Sequence, residues 1–119
     1  MEMRGNDTNN KVILEHRDIV TNGSLADLAT VPDRVGTVVN KSSNETVSQC
    51  TALSLIVNQS SKRNNWVERF NALVNAGHDP NRVFDYWGKD RTVYNVIQSC
   101  SCRSREFAEG GGIFVARSV

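Results

Sequence analysis

Apolar and polar positions divide the chain into short patterned segments separated by polar turns. Across residues 11–20 the apolar positions Val12, Ile13, Leu14, Ile19 and Val20 predict a short helix, and Thr21, Asn22 and Gly23 stop it. Ser24 is a good N-cap for a second helix, in which Leu25, Leu28 and Ala29 recur at helical spacing before Pro32 imposes a break. Gly36 opens GTVVN and reads as a helix stop, because glycine enters the left-handed region at little cost. The polar run 41–49 predicts an exposed loop. TALSLIV then places Ala52, Leu53, Ile56 and Val57 on one helix face behind a Thr51 cap. After a polar turn at 60–65, WVERFNALVNAG sets Trp66, Val67, Phe70, Leu73 and Val74 at helical spacing and ends at Gly77. The aromatic run RVFDYWGKD predicts a loop with turn residues at its end, and Thr92 opens a further helix. A weaker helix is expected over 104–109, stopped by GGG, with Ile113 to Val115 as a short extended tail. Residues 1–10 hold too little apolar content to order themselves and predict a flexible leader before a single domain over 11–119.

The chain also resembles itself. GTVVN at 36–40 aligns with GHDPN at 77–81 at a shift of 41, and TALSLIV at Thr51 aligns with TVYNVIQ at Thr92 at the same shift. One shift relating separate landmarks predicts a repeated unit of loop, Thr-capped helix, polar turn, second helix and glycine stop. A helix pair leaves an apolar face on either side, so repeated pairs must stack and the ends must act as caps.

With its Thr-led helix start and its ALVNAGHDPN turn at 72–81, this unit resembles the ankyrin repeat, over roughly residues 24–100. Ala52 and Val93 stand where that family has Pro, Ser54 and Asn95 where it has His, and each unit is about eight residues longer than the family's. The resemblance implies an all-α fold, a short α-solenoid of stacked helix-turn-helix ankyrin-like repeats with long loops between repeats and degenerate caps at both ends. It also implies binding of a protein partner on the side formed by loop tips and first helices. In this sequence that side comprises Asn44 and Glu45 of the first loop and Arg82, Phe84, Asp85, Tyr86, Trp87 and Lys89 of the second. Ser54, Asn58 and Asn95 of the first helices complete it. Trp, Tyr and Arg are the residue types that dominate interface energetics.

Composition narrows the function classes. In a chain of 119 residues, 14 basic against 13 acidic residues leave a net charge of +1 with no basic stripe, so nucleic acid is not the expected partner. No apolar run reaches membrane-spanning length, so no membrane partner is expected either. Three cysteines, Cys50, Cys100 and Cys102, are an odd and sparse set that fits a reducing cytoplasmic compartment. Cys100-Ser101-Cys102 is half of a metal clasp with no second half, GGG at 110–112 lacks the Lys-Ser/Thr of a phosphate loop, and the only histidines, His16 and His78, are far apart. Neither metal nor cofactor is expected. The acidic pairs Asp85/Asp90 and Glu106/Glu109 read as solvated faces. The expectation is therefore a monomeric, non-catalytic adaptor or inhibitor, such as an immunity-type antagonist or an effector delivered into a host cytosol. A small thiol-based redox sensor or enzyme using Cys50, Cys100 or Cys102 is the alternative.

Overall fold

The structure is a computed structural model that describes residues 9–63 and 65–111. The predicted leader, through residue 8, and the extended tail at 113–115 lie outside the described residues. Among the described residues eleven elements follow one another: β1 (Asn10–Ile13), α1 (Arg17–Asn22), α2 (Leu25–Leu28), β2 (Val35–Asn40), β3 (Thr46–Thr51), α3 (Ala52–Asn58), α4 (Trp66–Asn75), β4 (Phe84–Tyr86), β5 (Lys89–Arg91), α5 (Val93–Gln98) and α6 (Ser101–Glu109).

The all-α solenoid of ankyrin-like repeats is overturned by these strands. They form two antiparallel sheets, β1-β2-β3 and the hairpin β4-β5, so the fold is mixed α and β. The correction falls on four segments, one of them the aromatic run expected as a loop, which forms β4 and β5. The helix expected over 11–20 is strand β1 followed by a one-and-a-half-turn helix, because Val12 and Ile13 pair with Val38 and Thr37 of β2. GTVVN is strand and not a helix stop, and the second half of the 41–49 loop is β3, whose Cys50 sits opposite Gly36. The long loops between helix pairs are hairpins.

The caps hold as read. Ser24, Thr51 and Thr92 each accept the backbone N–H three residues on, and Asp27, Ser54 and Asn95 return the bond to the cap residue's own N–H. Reciprocal capping satisfies two N–H groups that the helix start leaves open. Helix α4 buries Trp66, Val67, Phe70 and Leu73 and closes on Gly77 at φ 111, where His78 N–H reaches Leu73 O and Gly77 N–H reaches Val74 O. That bond pair is the glycine-dependent stop expected of a left-handed position. The repeat is thus half real: Thr51 and Thr92 do the same work, whereas Gly36 and Gly77 do not. A Cβ on Gly36 would clash with Ile13 O, so its lack of a side chain admits the end of β1, while a Cβ on Gly77 would meet open space.

The helices pair and pack in a row. α1 and α5 lie against α3, α2 lies against α4, and α6 lies against α5. One hydrophobic cluster runs through them from Val20 to Phe107. Phe107 is its last member, stacked on Trp66 at 5.9 Å and edge-on to Phe70 at 5.0 Å. Among the described residues no helix is long and apolar enough to cross a membrane.

Two buried polar groups tie the row together. Arg69 of α4 is 3% exposed and donates to Gly23 O at 2.6 Å and to Val20 O at 2.7 Å. His78 is equally buried and donates through Nε2 to Val31 O at 2.8 Å, with Nδ1 3.8 Å from Asp33 Oδ1. Since a carbonyl only accepts, Nε2 carries a proton. His78 therefore fastens the turn after α4 to the segment after α2.

Candidate functional site

All of the residues that sequence assigned to the second loop except Arg82 meet on the β4-β5 hairpin. Phe84, Asp85 and Tyr86 face Arg91, Asp90 and Lys89 in order, and Trp87-Gly88 makes the turn. Both turn residues have positive φ, 53° at Trp87 and 90° at Gly88. A two-residue turn of this hand matches the twist of the strands and ordinarily carries Asn-Gly or Asp-Gly. Here a tryptophan, 49% exposed, occupies the position that suits asparagine.

The hairpin is held by side chains and not by a continuous ladder. Trp87 N–H donates to Ser48 Oγ at 3.0 Å, Asp85 N–H donates to Gln49 Oε1 at 2.8 Å, and Asp85 O lies 3.4 Å from Ser48 Oγ. Ser48 is 2% exposed and donates to Gln49 O at 2.9 Å. Asp85 Oδ1 accepts the Gly88 N–H at 2.9 Å and braces the turn. Three rings step outward from the core: Phe84 is buried, Tyr86 stands edge-on to it at 5.9 Å, and Trp87 stands edge-on to Tyr86 at 6.4 Å. The Tyr86 hydroxyl donates to Asn58 Oδ1 of α3 at 3.4 Å.

An open groove runs between this hairpin and α5, lined by Tyr86, Trp87, Lys89, Arg91, Asn95 and Gln98 among others. Of the sequence-assigned residues, Tyr86, Trp87, Lys89 and Asn95 gather there and Asn58 adjoins through Tyr86. Phe84 and Ser54 are buried, in the core and in the Thr51 cap, and present no surface. Arg82 is bound to Asp33 at 2.9 Å, and that carboxylate holds its guanidinium pKa above the ordinary value. Asn44 and Glu45 are exposed at the separate β2-β3 tip, where Asn44 takes φ 60°. Sequence reasoning missed Ser48 and Gln49, which carry no local signal because their partners lie 36 to 39 positions away.

No family model, curated protein or solved structure matches the chain.

The thiols divide sharply. Burial pushes Cys50 up to about 11, against a smaller pull from the Gly36 backbone, whereas the Arg103 and Cys102 N–H groups pull the surface Cys100 below its ordinary value. Among the described residues no group of His, Cys, Asp and Glu could hold a metal ion. With a disulfide reagent at neutral pH, Cys50 should react more than ~100-fold slower than Cys100, since reactivity follows thiolate fraction and access. Equal rates for the native protein would mean that β3 opens readily.

Proposed function

We propose that the protein is a non-catalytic binding module, an adaptor or inhibitor resident in the cytosol, that engages one protein partner through the β4-β5 hairpin and the adjoining face of α5. The observation that carries this reading is Trp87. A large ring is kept half in water, on a left-handed backbone position that costs a non-glycine residue about 1 kcal/mol or more. Trp87 lies outside the core cluster, and tryptophan is prominent among the side chains that anchor interfaces. A local rule broken for the gain of a ring contact with Tyr86 points to use at a surface.

The test uses Trp87→Asn, which removes the ring and installs the residue the turn favours. The variant should melt at the same temperature or slightly higher, a gain of up to about 1 kcal/mol offset by the lost Tyr86 ring contact. Wild-type protein immobilised in native lysate should capture a stoichiometric partner, and Trp87→Asn should not. Equal capture by both proteins rejects the hairpin as the binding surface.

A further inference from the structure

We propose that the free edge of β5 receives an extended, acidic segment of the partner, added as a third strand beside β4 and β5; this rests on the binding reading above. Three features converge. First, the two-residue turn makes Tyr86 and Lys89 the hydrogen-bonded pair that closes the hairpin, so the next pair, Asp85 and Asp90, turn their N–H and C=O groups away from each other. Asp85 finds Gln49 and Ser48 on its side. Asp90 has no partner on its side among the described residues, so one strand-type donor and acceptor stand open at the lip of the groove.

Second, charge is sorted by face. Alternation along β5 puts Lys89 and Arg91 on the groove side with Tyr86, and Asp85 with Asp90 on the other. Lys89 and Arg91 are exposed, and neither makes an ion pair or side-chain hydrogen bond among the described residues. The groove therefore offers two uncommitted cations and no carboxylate.

Third, the spacing selects an extended ligand. Cations two residues apart on a strand stand roughly 6.5 to 7 Å apart, the repeat of side chains on one face of a neighbouring strand. Carboxylates at alternate positions of the incoming segment meet Lys89 and Arg91 while its backbone meets Asp90, and Trp87 closes the end of the slot. Strand addition of this kind takes affinity from main-chain bonds and specificity from alternate side chains.

The experiment follows fluorescence anisotropy of a labelled peptide of alternating Glu and Thr titrated with the full chain at low salt. Saturable binding is expected, weakened about tenfold or more by Lys89→Glu with Arg91→Glu and less by Lys89→Gln with Arg91→Gln. Both positions are exposed, so matched melting temperatures verify that the variants fold. The same peptide N-methylated at alternate amides should lose binding to the wild type, because its edge can no longer pair. No binding, equal binding by the charge-reversed variant, indifference to N-methylation, or tighter binding of a single-stranded oligonucleotide overturns the inference. If the peptide fails while Trp87→Asn still loses the captured partner, this inference falls and the binding reading stands. If Trp87→Asn also keeps the partner, both fall.

Discussion

Replacing Arg69 with methionine should lower the free energy of unfolding by about 3 kcal/mol, because charge-assisted hydrogen bonds in a buried setting contribute about 1.5 kcal/mol or more each. The guanidinium bridges two carbonyls around the end of α1, Val20 O and Gly23 O, from a position almost closed to water. It lies at the negative end of that helix, which favours a cation there. No carboxylate pairs with it among the described residues, and burial, followed by repulsion from Arg63, holds its pKa below the ordinary guanidinium value. Arginine nonetheless stays protonated at neutral pH. Methionine keeps most of the stem's volume and removes the fork, so the loss measures the two bonds more than a cavity. Arg69→Lys keeps the charge but cannot span both carbonyls, and about half the loss should return. Urea unfolding with an unchanged slope is the measurement. A loss under about 1 kcal/mol for the methionine variant would show that water satisfies the carbonyls in place of Arg69.

Phe107→Ala should cost about 3 to 4 kcal/mol, the range for truncating a fully buried phenylalanine. The ring is fully buried and touches Trp66, Phe70 and Tyr94 from three sides. It is also the one buried residue of α6, a helix otherwise polar on every side. Truncation therefore removes the anchor of a whole element, and amide exchange over residues 101–109 should accelerate before that of α3 and α4. Phe107→Leu should cost only about 1 to 1.5 kcal/mol, since much of the volume remains. If Phe107→Ala loses less than about 1.5 kcal/mol, α6 does not depend on the aromatic cluster for its attachment.

Helices were legible because their signals are local. A Ser or Thr with a hydrogen-bonding residue three positions later, followed by apolar residues at helical spacing, specifies a start and a face within a few residues, as at Thr51 and Thr92. The strands were hidden for a specific reason. In β2 and β3 the positions facing inward include Gly36 and Ser48, a glycine and a serine, so alternation of burial is not alternation of hydrophobicity. Gly36 looks like a helix stop in one dimension, yet its role is to admit the backbone of β1. The aromatic run was readable as the candidate surface, but Trp-Gly is not a usual turn pair, and the hairpin depends on Ser48 and Gln49, far away in sequence. Arg69 and His78 illustrate the same limit: the carbonyls that accept from them lie 46 to 49 positions distant.

From Trp87 through Arg91 every residue of the hairpin tip is exposed, and the bonds that hold the tip begin with backbone groups and end on Ser48, Gln49 and Asp85, all outside the tip. Its side chains can therefore be exchanged without touching the cluster that folds the chain. The tip is built as an interchangeable cassette: a protein engineer could rewrite the proposed binding surface by a handful of substitutions while leaving the supporting scaffold intact.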